Sequence, residues 1–206
     1  MRRTDASPTT CSRLRHALAF CSSARPGATI SKTMVGSKQQ NSFSIVLLRP
    51  EIPHNTGAIG RLCVGLGVPL HLVRPLGFAL EDRYVARAAL DYWPHLDVTL
   101  HDTWDEYLAA AKPTRLFFLS THGEKSLYEC RFSEGDALVF GNESSGLPKD
   151  FYTRYKESLF KIPMPGEHAR SINLANAVSI AAYECYRQLT HCPLHKASAC
   201  DTICTV

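Results

Sequence analysis

The sequence has little that would carry it across a membrane or stitch it together outside a reducing compartment. Its longest apolar stretches, such as Ser44 to Leu48 and Ala137 to Phe140, are far shorter than the roughly 20 residues a spanning helix requires. No two of its 8 cysteines form a CxxC pair, and their scatter offers no disulfide framework. Acid is almost missing from one end: residues 1–41 hold 7 of the 23 Lys and Arg but only Asp5 of the 19 Asp and Glu. The net charge of +4 therefore belongs to that end, and the remainder, with 16 basic and 18 acidic residues, is slightly negative. Nucleic acid, if bound there, has to be met by a local basic patch, because the domain offers no long-range attraction.

At 206 residues the chain suits one α/β domain with tails. Residues 1–41 set Arg2, Arg3, Arg13, Arg15 and Arg25 among Ser, Thr and Ala, the composition of an organelle transit peptide, and Arg13 to Cys21 suits a short amphipathic helix. The alternative is a plain disordered extension, or untranslated sequence with initiation at Met34, so the protein is expected in the cytoplasm or in an organelle of mitochondrial type. The domain is placed at 42–190. A flexible tail follows at 191–206, where His191, Cys192, His195, Cys200 and Cys204 match no standard zinc spacing, and no metal is expected.

From Asn41 onward, short apolar runs alternate with helical stretches, which predicts βα repeats and a mostly parallel six-stranded sheet with helices on both faces. Strands are expected at Ser44–Arg49, Leu70–Val73, Asp97–Leu100, Leu116–Ser120, Ala137–Phe140 and Leu159–Ile162. Helices are expected at Gly57–Leu66, closed by Gly67, at Trp104–Ala111 behind Asp102 and Thr103, and at Asn173–Leu189. In the last, Leu174, Val178, Ala181, Ala182 and Cys185 recur at helical spacing and should face the core.

Three polar segments interrupt this pattern. Pro50 to Gly67 (PEIPHNTGAIGRLCVGLG) leaves the first strand, but Pro50 and Pro53 fill the turn where a dinucleotide fingerprint needs glycine, and the next strand ends in Arg74 rather than a ribose-binding acid. Asn55 and Arg61 instead suggest a surface for phosphate or sugar, against the alternative of a solvated helix face. Phe140 to Pro148 (FGNESSGLP) follows an apolar strand. Gly141 and Gly146 permit a ligand to lie against backbone amides, and Glu143 sits between them at the end of a strand where open α/β sheets bind ligands. Ile162 to Glu184 passes through Pro163 and Pro165 into a polar loop before Ser171 and Asn173 open the long helix, either as its cap or as donors to a ligand.

Taken in order, Asn55-x-Gly57-x-x-x-Arg61, Gly141-x-Glu143-x-x-Gly146-Leu147-Pro148, and Ile162-Pro163-Met164 with Ser171-x-Asn173-Leu174 resemble the three motifs of the SPOUT RNA 2′-O-methyltransferases. The resemblance covers about residues 43–190. Arg61-Leu62-Cys63, Pro75-Leu76-Gly77-Phe78 and Leu90-Asp91-Tyr92 are similar to the subgroup that methylates the wobble ribose of tRNA, whose members carry the catalytic domain and little else. The resemblance implies a C-terminal trefoil knot, S-adenosyl-L-methionine bound in a bent form, and a homodimer with its active site at the subunit interface. It places Gly141, Glu143, Ile162, Met164, Ser171 and Leu174 in the cofactor pocket, and Asn55, Arg61 and Asn173 on the substrate side as the catalytic set. Ser145 departs from the basic residue many relatives carry before the glycine, and Ala175 from a frequent Ser.

The implied chemistry is an in-line displacement at a sulfonium methyl, which depends chiefly on alignment of the 2′-oxygen. Family proposals give the arginine a part in activating that hydroxyl. Because a guanidinium resists deprotonation, Arg61 is expected to orient and stabilise charge. Three readings follow: methylation of the wobble ribose, reached through the tRNA anticodon stem-loop, methylation at another tRNA or rRNA position, or a knotted RNA-binding protein without turnover.

Overall fold

In the computed structural model, residues 43–79 and 90–190 are described, so the expectations for residues 1–41 and for the His- and Cys-bearing tail lie outside the described residues. The first strand, β1 (Phe43–Leu48), is apolar apart from Ser44 and almost wholly buried, as a parallel strand covered on both faces must be. Next in the chain come β2 (Leu70–Val73), β3 (Val98–His101), β4 (Leu116–Leu119), β5 (Lys125–Ser126), β6 (Asp136–Phe140) and β7 (Leu159–Lys161). They form one sheet of 7 strands in the order β3-β2-β1-β6-β4-β7-β5, with every pairing parallel. The expected six strands are all present, shifted by no more than a residue at either end. The seventh, β5, has only 2 residues and lies on the edge beside β7, too short to leave an apolar signal.

Helix α1 (Pro53–Leu66) begins four residues earlier than expected. Pro53 looks like a breaker, but at the first helical position its missing N–H is no loss and its fixed φ suits the turn. Asn55 therefore belongs to the helix rather than to a loop. The residue before it, Ile52, has no side chain able to accept from the first amides. Helix α2 (Trp104–Ala111) has the expected span, capped by Thr103, whose hydroxyl accepts from the Glu106 N–H. Four short elements among the described residues were unforeseen: 3-10 helices at Leu90–His95, Leu127–Glu129 and Lys156–Ser158, and α3 (Lys149–Arg154). The long helix α4 (Leu174–Thr190) buries Val178, Ala181, Ala182 and Cys185, as their spacing predicts, with Leu174 half-buried at its start.

The sheet separates two apolar cores. Phe43, Ile45, Leu47, Leu70, Leu72 and Leu138 point to one face, where α1 (Ile59, Cys63) and α4 cover them. Val46, Leu48, Val73, Phe118 and Val139 point to the other, where α2 (Tyr107) and α3 (Phe151) lie. On that second side the His71 Nδ1 and His101 Nε2 atoms of β2 and β3 are 3.1 Å apart, with the Tyr107 ring against both. Because all strands run the same way, the chain leaves β1, β6 and β7 at one edge. The three polar segments leave there.

Candidate active site

The amides at the start of α1 find their acceptor far away in sequence. The Glu143 carboxylate accepts from the Glu51 N–H at 2.8 Å, the Ile52 N–H at 3.3 Å and the Asn55 side-chain amide at 2.9 Å. A helix start carries free donors and partial positive charge, so an anion there is favoured on both counts. Asn55, only 5% exposed, is matched at its other end too: its Oδ1 accepts from the Asn173 Nδ2 at 2.9 Å. Asn173 in turn caps α4, its Oδ1 accepting from the Ala175 N–H at 2.9 Å and the Asn176 N–H at 3.3 Å. One hydrogen-bonded chain, Asn173 to Asn55 to Glu143, thus joins all three segments.

A second set of bonds runs the opposite way. Glu51 accepts from the Asn142 side-chain amide and the Ser144 hydroxyl, each at 2.9 Å, while the Ser145 N–H and hydroxyl both donate to the Asn142 Oδ1 at 2.8 Å. Each loop presents a carboxylate to the other. The motif reading missed Glu51, Asn142 and Ser144, although a carboxylate three residues past a strand end, between two prolines, was a visible signal.

Gly141 has a reason of its own to be small. A Cβ there would stand 2.1 Å from the carbonyl carbon of Gly146, so the space beside it is filled by the protein's own backbone. Gly146 has φ 71, and the two strands of the turn are tied by Asn142 N–H to Gly146 C=O at 3.0 Å and its return at 3.2 Å. Glycine at 141 lets the loop fold back on itself. The Glu143 carboxylate is taken up by the two amides ahead of α1 and by Asn55.

The third loop, from Ile162 to Asn173, bonds little to itself. Within it the one backbone hydrogen bond among the described residues runs from the Ala169 N–H to the Gly166 carbonyl, 3.2 Å. Ile162, Met164 and Leu174 are half-buried, and Ile162 and Leu174 pack on the core, while Ser171 is exposed. Free amides and carbonyls beside apolar side chains are the chemistry that an adenosine-bearing cofactor requires, so these residues fit such a group. A cavity of about 710 Å³ lies elsewhere: Leu108, Lys112, Arg115, Phe117 and Phe160 line it by the amino end of β4, and it shares no residue with the three loops.

Arg61 stands apart from the chain of amides. It lies six residues beyond Asn55, which places it about 9 Å along the helix and a third of a turn away. Its guanidinium sits 4.9 Å over the Tyr92 ring, and no acid pairs with it among the described residues. The structure thus gathers Asn55, Glu143 and Asn173 and leaves Arg61 exposed beside them.

A parallel sheet covered by helices on both faces, with polar loops interlocked at its carboxyl edge, defines an α/β protein that works at that edge. The chain belongs to the SpoU rRNA Methylase family, whose model matches residues 42–183. It is 46% identical over 149 residues to a tRNA (cytidine(34)-2′-O)-methyltransferase of Saccharophagus degradans, covering 71% of this chain and 96% of that one. A structure described as giving insights into the 2-OH methylation of C/U34 on tRNA is 52% identical, with TM-score 0.67 over 71% of this chain and 95% of its own. The SpoU methyltransferase AviRb of Streptomyces viridochromogenes, in complex with AdoMet, is 26% identical, with TM-score 0.62 over 73% of this chain and 58% of its own.

Proposed function

We propose that the protein methylates the ribose 2′-hydroxyl of a wobble nucleotide, position 34 and a cytidine or modified uridine, of a tRNA, with S-adenosyl-L-methionine as donor. The observation that carries this reading is the Asn173–Asn55–Glu143 chain, which ties the loop of half-buried Ile162 and Met164 to the start of α1. The Saccharophagus degradans relative bears the matching name, and AviRb was solved with the same cofactor.

In this reading Ile162, Met164 and Leu174 form the apolar wall of the cofactor site, and the backbones of Gly141 and Ser171 provide its polar contacts. The cofactor supplies an electrophilic methyl group. Asn173 fixes the loop that holds it and passes that order to Asn55, while Glu143 sets the angle of α1. Arg61 orients the ribose and stabilises charge as its hydroxyl reacts, by the fixed fork of its guanidinium. Its distance from the amide chain is consistent with a homodimer in which a second copy completes the site. A trefoil knot in the C-terminal part, an extension at residues 1–41 outside the catalytic domain, and residence in the cytoplasm or an organelle belong to the same reading. No helix among the described residues is long and apolar enough to cross a membrane.

Single-turnover methylation of a tRNA anticodon stem-loop tests it, with a control that is 2′-deoxy at position 34. Transfer to the first and none to the second is expected. Methylation of the control would overturn ribose chemistry, methylation of whole tRNA elsewhere would overturn the position, and binding without transfer would leave a non-catalytic RNA-binding protein. Light scattering on the active protein checks the homodimer, which a fully active monomer would exclude.

A further inference from the structure

Arg49, at the exit of β1, has φ 52, a left-handed conformation that glycine or asparagine adopts with less strain. It is one of two non-glycine residues in this state among the described residues, the other being Lys112 at the end of α2. The backbone is firmly held, since the Arg49 N–H donates to the Val73 carbonyl at 2.9 Å. The side chain is exposed, and neither an acid nor an aromatic ring pairs with it among the described residues.

One strand over, Arg74 takes the equivalent place. Leu48 and Val73 are register partners, so Arg49 and Arg74 follow side by side, about one strand spacing of 4.8 Å apart. Arg74 is paired with Asp102 at 3.1 Å. Glu51, the nearest acid to Arg49 in sequence, is engaged by Asn142 and Ser144. An unpaired guanidinium beside a second cation therefore stands at the base of the short segment, Pro50 to Ile52, that leads into α1. The domain around it is slightly negative, and Ser145 leaves the neighbouring loop tip without a cation.

Backbone strain at a ligand-facing edge persists when the position it gives a side chain matters. We infer that Arg49 grips a phosphate of the RNA strand next to the target nucleotide, and that its strained backbone is kept for the place it gives the guanidinium. This rests on the proposed RNA substrate. A guanidinium matches phosphate with two parallel hydrogen bonds, which a lysine at this site would not provide.

The test measures binding of the anticodon stem-loop to wild type, Arg49→Gln and Arg49→Gly over a range of salt, with cofactor affinity and melting temperature measured alongside. Both variants should lose about tenfold in RNA affinity, and their salt slopes should flatten by about 0.7 to 0.9, one phosphate's share. Cofactor affinity should stay as in wild type, and Arg49→Gly, relieved of strain, should melt no lower than wild type. Wild-type affinity and slope in Arg49→Gln would overturn the inference, as would an equal loss of cofactor affinity, which would place the residue in the fold instead. A wild type that binds the stem-loop with the expected slope but transfers no methyl would sink the proposed reaction and leave Arg49 standing. One that binds no RNA would sink both.

Discussion

The two ends of β6 each hold a carboxylate, and they hold it differently. At the amino end Asp136, with none of its surface exposed, is met by the Arg115 guanidinium at 3.0 and 2.6 Å and by the Ser133 N–H at 2.7 Å. Arg115 is anchored further by the Arg131 carbonyl and the Ser133 hydroxyl, at 2.8 and 3.0 Å. Beyond the carboxyl end, Glu143 meets no cation among the described residues. Two backbone amides and the Asn55 amide hold it. A carboxylate neutralised by a cation is a lock for the sheet. Held by neutral donors, it fixes the backbone and the side chain around it without a cation of its own.

Breaking the amino-end lock should have the largest effect. Arg115→Met would strand the buried Asp136 charge, and urea unfolding should show a loss of about 3 to 5 kcal/mol, with cofactor affinity of the folded fraction unchanged. A loss below 1 kcal/mol would mean the pair contributes no more than a surface bridge. The His71–His101 pair sharpens the contrast, because there charge is avoided rather than matched. Burial, with a smaller contribution from His101, drives His71 from 6.5 down to about 4; burial also lowers His101, against the pull of Glu106, and Tyr107 closes over both rings. The unfolded chain then takes up the proton first as pH falls. Stability is complete above about 6.5 and is lost on the way down to about 4, by about 3 kcal/mol from His71. His71→Leu should show a flatter dependence of urea midpoint on pH, and an unchanged slope would dismiss the pair as its source.

At the carboxyl end the effect should move from stability to rate. Glu143→Gln puts an N–H₂ where an oxygen now accepts, against the amides of Glu51, Ile52 or Asn55. Stability should fall by about 1 to 2 kcal/mol, whereas single-turnover methylation should fall about 100-fold, because the groups it positions are displaced. A fall in rate no larger than the fall in folded protein would make Glu143 a lock like Asp136. The smallest change tests whether α1 matters through its start alone. Gly65, exposed near its other end, has open space where a Cβ would go. Gly65→Ala should raise stability by about 0.5 to 1 kcal/mol without altering methylation, and a lost rate would show that the far end of α1 takes part as well.

The two halves of this comparison were unequally legible in the sequence. Helix α2 announced itself through Thr103 and the acids behind it, and β2 through an apolar run between turns, because local chemistry set both boundaries. Pro53 misled, since a residue that breaks a helix inside it favours one at its start. The short β5 and α3 exist through their neighbours rather than through any pattern of their own. Among the site residues, Asn55, Glu143 and Asn173 were found by motif, but their mutual bonds depend on loops far apart in the chain, and no spacing reveals them. The need for glycine at 141 was visible while its reason was not, because the atom it avoids belongs to Gly146 across a turn.

The bond that holds the start of α1 joins residues 92 positions apart. A ribosome adding roughly 5 to 20 residues per second makes the helix and then needs about 4 to 15 seconds more to reach the carboxylate that anchors the segment ahead of it. Through that interval the Glu51 and Ile52 amides ahead of α1 have only water to donate to. Vectorial synthesis therefore delivers the sheet's first strands early, and the edge where the three loops interlock is set in place only after most of the protein has been translated.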